Sequence, residues 1–141
     1  MAESEIELKL SLAQTEVSRF RRDTALHRMK RARAVSRSLL AVYFDTPDLS
    51  LRAHKAALRI RQEGADRIQT LKVSGKGAGL QHRTEYNAPT TAQEPDLSLI
   101  DDPAMRQALM AMIGDDPLVP VFTTDIRRTI WLLDLPGGPV D

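Results

Sequence analysis

Glu3-Ser4-Glu5-Ile6-Glu7-Leu8-Lys9-Leu10 alternates without a break. Acidic or basic side chains occupy the odd positions, and Ile6, Leu8 and Leu10 occupy even ones. Successive side chains of a strand point to opposite faces, so the stretch predicts a ribbon with one apolar row and one row of carboxylates and an amine. Taken alone, that is an ordinary half-solvated strand. It decides the fold because the same grouping of charges on one strand face returns downstream. Leu58-Arg59-Ile60-Arg61, Leu71-Lys72-Val73 and Arg83-Thr84-Glu85 all repeat it.

The chain has 141 residues, enough for one domain with a modest core. Hydrophobic residues make up 42% and charged ones 28%, the balance of a folded protein rather than a disordered one. Aromatic residues are only 4%, which leaves the core to Leu, Ile, Val and Ala. A net charge of +1 gives no support for a nucleic-acid partner. The absence of cysteine excludes disulfides and thiolate metal sites and fits a reducing compartment. No apolar run reaches the ~20 residues of a membrane span. The acidic start Met1-Ala2-Glu3-Ser4-Glu5 lacks the basic and apolar regions of a secretory signal. The expectation is a cytoplasmic protein with no membrane partner.

Outward from the first strand, Ser11 to about His27 predicts a helix, with Leu12, Val17, Phe20 and Leu26 as its apolar stripe and Ser11 as its cap. A basic stretch follows (Arg28, Lys30, Arg31, Arg33, Arg37), the pattern of a solvated face. Ser38 to Asp45 predicts a strand ended by the turn Thr46-Pro47-Asp48. Ala56 to Gln62 and Arg67 to Val73 form an expected hairpin around Glu63-Gly64-Ala65-Asp66. The glycines of Ser74-Gly75-Lys76-Gly77-Ala78-Gly79 lack the spacing and following helix of a P-loop and read as a link to the strand His82–Asn87. Asp102-Pro103 starts a helix striped by Met105, Leu109, Met112 and Ile113 and ended by Gly114. A last strand is expected from Val121 to about Leu135, before the turn Pro136-Gly137-Gly138-Pro139. Six strands and two helices joined by short loops predict an α+β fold with a curved antiparallel sheet and outer helices.

If the apolar rows pack on the helices, the charged rows look the other way. Lys9, Arg59, Arg61, Lys72 and Arg83 then stand with only Glu5, Glu7 and Glu85 against them. Fixed cations of this kind match phosphate oxygens, which Arg forks bind bidentately. Carboxylates among them are out of place unless a hard cation such as Mg²⁺ bridges them to the phosphates. The pattern therefore points to a metal–polyphosphate complex. His27, His54 and His82 have no metal-ligand spacing, and no Ser/His/Asp or Cys/His set exists.

These blocks resemble the CYTH superfamily, the triphosphate tunnel metalloenzymes. Glu5-Ile6-Glu7-Leu8-Lys9 matches its E-x-E-x-K signature. Tyr43-Phe44-Asp45-Thr46, Leu58-Arg59-Ile60-Arg61, Leu71-Lys72-Val73, Arg83-Thr84-Glu85-Tyr86-Asn87, and Phe122-Thr123-Thr124-Asp125 through Arg128 and Trp131 follow in the family's order. The pattern is most similar to the bacterial inorganic triphosphatase branch, often the N-terminal part of proteins with a C-terminal CHAD domain. The resemblance implies an antiparallel barrel around a tunnel holding Mg²⁺ or Mn²⁺ and a triphosphate. It implies metal ligation by Glu5, Glu7 and Glu85, and phosphate binding by Lys9, Arg59, Arg61, Lys72, Arg83 and Arg128. Lys9 and Glu85 are its implied catalytic residues. For the tunnel arginine of the last block, strand alternation groups Arg127 with Asp125 and Thr129, while the family's spacing to Trp131 favours Arg128.

The implied activity is hydrolysis of a linear triphosphate, foremost inorganic tripolyphosphate, to phosphate and pyrophosphate. The same tunnel could serve thiamine triphosphate or cyclise ATP, and a non-catalytic polyphosphate-binding module is the reading from a different class. The sequence departs from the family after Leu135-Pro136-Gly137-Gly138, where family members continue into further acidic strands. Residues 1–141 thus read as a tunnel domain lacking its C-terminal strands, with an open barrel whose unpaired edge invites a homodimer.

Overall fold

The computed structural model describes residues 2–5, 8–75 and 83–140, so Ile6, Glu7 and His82 lie outside the described residues. The chain divides into two units, Met1–Glu7 with Ser38–Ile126, and Leu8–Arg37 with Arg127–Asp141. In the first, Ala56–Glu63 (β3) and Asp66–Ser74 (β4) form the expected hairpin, with Glu63 opposite Asp66. Gly64 at φ 59° supplies the positive φ that so tight a turn requires. Arg83–Pro89 (β5) pairs with β4, and Ala2–Glu5 (β1) pairs with β5. Val35–Asp45 (β2) flanks β3, and Val119–Ile130 (β6) follows it. The antiparallel order is β1-β5-β4-β3-β2-β6, and no pairing joins β1 to β6 among the described residues. The sheet is open, as the sequence led one to expect.

The pleat sorts side chains as the alternation predicted. Phe44, Leu58, Leu71 and Tyr86 are successive cross-strand partners. Leu58, Leu71 and Tyr86 cluster with Leu51, Ile100, Leu109 and Ile113, and Leu51, Leu58, Leu71 and Leu109 are fully buried. Burial of each such leucine stabilises by about 1.5–3 kcal/mol. Leu109 and Ile113 come from Pro103–Ile113 (α4). Asp102 starts that helix by accepting the Ala104 and Met105 amides at 3.0 and 3.2 Å, and Gly114 ends it at φ 63°. The other Asp102 oxygen accepts the Tyr86 hydroxyl at 3.2 Å, which ties α4 to the sheet.

Four elements differ from expectation. The ladder of β1 to β5 is described as far as Glu5 opposite Arg83, Ile6 and Glu7 lie outside the described residues, and Leu8 to Leu10 carry no strand. The expected helix Ser11–His27 is two short ones, Val17–Arg21 (α1) and Thr24–Met29 (α2). Asp23 separates them by accepting the Ala25 and Leu26 amides, which begins a new helix. Ser50–Ala53 (α3) was not expected, and it exists because buried Asp45 accepts the Leu51 and Arg52 amides. The last strand stops at Ile130, and Leu133–Leu135 (β7) pairs instead with Gly138–Val140 (β8).

The second unit gathers on Trp131. Phe20 stacks on it at 6.1 Å, His27 tilts against it at 5.7 Å, and the Lys30 ammonium sits 3.9 Å from the ring centroid. The Arg31 amide donates to the Leu132 carbonyl at 2.8 Å. Among the described residues no helix is long and apolar enough to cross a membrane.

Burial above all, and then the hydrogen bond to Asp102, raise the Tyr86 hydroxyl above its usual pKa of 10.0. Between the ordinary and raised values the unfolded chain has lost a proton that the folded chain keeps. Stability from this group is therefore intact below pH 10 and declines as pH rises through the raised value. Urea midpoints measured from pH 9 to 11 should fall more steeply in the parent than in Tyr86→Phe. Parallel profiles would show that the hydroxyl carries no such linkage.

Candidate functional site

Residues of opposite parity to the core form cross-strand rows on the other face of the first unit's sheet. One row runs Tyr43, Arg59, Thr70, Asn87. The next runs Ala57, Lys72, Glu85, with Glu3 at the β1 register position. Arg83 lies between Ser74 and the register position of Glu5, and Arg61 lies between Ala41 and Ile68. Arg59, Arg61, Lys72, Arg83 and Glu85 are thus brought onto one face by register alone. All five are partly buried, so their charges are held near the sheet instead of extended into solvent.

Local bonds fix several of them. The Lys72 ammonium pairs with Glu85 Oε1, and the two side chains are only 23% and 13% exposed. Asn87 Nδ2 donates to Glu85 Oε2 at 3.4 Å, and Thr70 Oγ1 donates to Asn87 Oδ1 at 2.7 Å. Arg59 Nη1 donates to the Tyr43 hydroxyl at 3.3 Å. Arg59 Nε is buried with no hydrogen-bond partner among the described residues. Tyr43 stacks on Phe122 at 4.4 Å and 15°.

Other expected site residues lie elsewhere in the chain. Glu5 has its place by register opposite Arg83, and Glu7 falls outside the described residues. Lys9, Arg127 and Arg128 belong to the second unit and are exposed. There Ser36 Oγ and Thr129 Oγ1 are 2.7 Å apart, which puts Thr129 in phase with Ser36. Alternation then gives Arg127 the phase of Thr129 and Arg128 the opposite one. No cluster of three or more His, Asp or Glu side chains suited to a metal occurs among the described residues.

Sequence reasoning followed charges and so passed over Tyr43, Thr70 and Asn87. The signal was present, because Thr70 and Asn87 share the parity of Lys72 and Glu85 along their strands. Asp45 is a structural acid, with Oδ1 accepting from Thr46 and Leu51 and Oδ2 from Arg52. A cavity of 830 Å³ lies among Leu40, Val42, Phe44, Ile60 and Leu118, away from the charged rows. Its one cation, Arg67, is tied to the Thr91 and Ala92 carbonyls and to Gln62, which leaves it ill placed for phosphate.

Residues 3–138 match the family model described as the CYTH domain. Over 102 residues, 70% of this chain and 28% of the relative, it is 35% identical to a protein of Haemophilus influenzae named inorganic triphosphatase. Over 136 residues, 95% of this chain and 25% of the relative, it is 32% identical to an uncharacterized protein of Mycobacterium tuberculosis. The chain thus spans about a quarter of the length of these curated relatives. Among solved structures, a Bacillus halodurans protein described as a putative adenylate cyclase superposes at a TM-score of 0.53. Its identity is 20%, with 98% of this chain and 68% of that chain covered. A Pyrococcus horikoshii protein superposes at 0.50 with 16% identity, covering 90% and 70%. At these identities the likeness concerns the fold alone.

The Lys72–Glu85 pair gives the site a measurable energetic signature. Lys72→Met leaves a mostly buried carboxylate without its cation and should cost about 1–3 kcal/mol in chemical denaturation. The double variant Lys72→Met/Glu85→Leu should lose less than the single one. A single variant as stable as the parent would show that the pair contributes nothing.

Proposed function

The chain belongs to the CYTH domain family, and from that premise we propose that it binds a linear triphosphate on the charged sheet face and hydrolyses it. The favoured substrate is inorganic tripolyphosphate, split to phosphate and pyrophosphate. One observation carries the reading: the register puts Arg59, Arg61, Lys72 and Arg83 on one face with Glu85, and Arg59 Nε is left buried without a partner. A triphosphate supplies oxygens spaced along a chain, and guanidinium and ammonium donors offset its charge as more develops in the transition state. The Haemophilus influenzae relative named inorganic triphosphatase supports the choice of reaction.

The family implies a divalent cation, Mg²⁺ or Mn²⁺. Carboxylate oxygens are the donors such a hard ion takes; Glu85 stands on the charged face, with Glu3 and Glu5 at the register positions of Glu85 and Arg83. In this reading Glu5, Glu7 and Glu85 would hold it. A bound cation of this class supplies charge neutralisation and an acidified water. The chain's own part is to clamp phosphate oxygens through Arg59, Arg61, Lys72 and Arg83, and to hold Glu85 beside Lys72. Lys9 and Arg128 enter as further phosphate ligands on the strength of the motif, and Lys9 and Glu85 as the catalytic pair. Further strands of the same protein, or a second copy, would complete the open edge.

The test is phosphate release from tripolyphosphate with Mg²⁺ or with chelator, alongside calorimetric titration of the same compound. Release should require metal and fall more than 100-fold in Glu85→Gln, while that variant still binds the triphosphate. Binding without release by the parent would establish a polyphosphate-binding module instead, and neither binding nor release would refute the site.

A further inference from the structure

We infer that Thr70 and Asn87 are positioning residues that set the orientation of the Glu85 carboxylate, an inference resting on the functional reading above. Thr70 is 1% exposed and faces Arg59 and Asn87 across the sheet. Its hydroxyl donates to Asn87 Oδ1 at 2.7 Å. An amide can present either its oxygen or its NH₂ to a neighbour, and which it presents is decided by its other bonds. Because Asn87 Oδ1 is occupied by the Thr70 proton, Nδ2 is turned toward Glu85, where it meets Oε2 at 3.4 Å. Lys72 holds Oε1. The carboxylate therefore has the Lys72 ammonium as ion-pair partner at Oε1 and the Asn87 amide as hydrogen-bond donor at Oε2, on the face that carries the cations.

Without the Thr70 proton the Asn87 amide would lose the bond that anchors Oδ1. With Oδ1 unanchored, Nδ2 would swing away from Oε2, and Glu85 would lose its second contact. Support of this sort commonly alters metal affinity or activity by about 10–100-fold when it is removed. Neither residue carries charge, and neither is required to touch substrate, so their effect would pass through Glu85.

A pair of substitutions separates positioning from packing. Thr70→Val keeps the shape and loses the proton donor, whereas Thr70→Ser keeps the donor and loses a methyl group. Positioning predicts that Val lowers kcat for tripolyphosphate about 10–100-fold with KM nearly unchanged, and weakens Mn²⁺ binding measured without substrate. It predicts that Ser stays within about threefold of the parent, inside the range expected when the support survives. A packing role predicts the reverse order, and that result would overturn the inference. A second readout needs no turnover: the Asn87 side-chain amide and Glu85 carboxyl NMR resonances in ligand-free protein. They should move in Thr70→Val and hold in Thr70→Ser, and unchanged resonances in both would also overturn it. A parent that releases no phosphate would refute the functional reading. The ligand-free resonances would then decide alone whether Thr70 and Asn87 hold Glu85.

Discussion

The pleat of β3, β4 and β5 is the constraint on which everything else depends. Each residue in these strands has one of two destinations, and the burial of Leu58, Leu71 and Tyr86 against Leu51, Leu109 and Ile113 settles which. Once those side chains are packed, Arg59, Arg61, Lys72 and Glu85 have no choice of face, since a slip of one residue would bury the charges and expose the core. The site's geometry is thus held by hydrophobic packing on its reverse side. Asp102 and Asp45 serve that packing, one by starting α4 and holding Tyr86, the other by starting α3 and so placing Leu51.

On the charged face the energetic balance differs. Neighbouring cations repel, and partial burial sharpens the repulsion. Lys72 is relieved by Glu85, and Arg59 leans on the neutral Tyr43 hydroxyl. A donor such as Arg59 Nε, removed from water without a partner, costs stability in the free protein. Sites that bind anions tightly accept such costs, because the ligand then supplies the missing acceptor and gains from groups already in place. The register spreads these groups over the neighbouring strands β3, β4 and β5.

Much of this was legible in the alternation itself. Period-two patterning identified β2 through β5 and their two faces, and the Asp102-Pro103 and Gly114 signals bounded α4. What escaped were features set by contacts between distant or polar residues. Asp23 splits a helix that the apolar stripe alone makes continuous, and Asp45 nucleates α3 through bonds to amides six and seven residues away. Beyond Glu5 the pattern of the first strand runs into residues outside those described, and Leu8 to Leu10 carry no strand. Thr70 and Asn87 were invisible to reasoning from charge, since their importance lies in which atom of an amide faces which oxygen.

The central claim is that the charged face of the sheet, and not the cavity beside Leu40 and Leu118, receives the triphosphate. Backbone amide NMR during titration with tripolyphosphate in the presence of chelator tests it most directly, because it reads location without requiring catalysis or metal. The account predicts that the largest shifts fall on Arg59, Arg61, Thr70, Lys72 and Arg83, with little change at Leu109. Shifts centred on Leu40, Ala92 and Leu118, or no shifts at all, would contradict it.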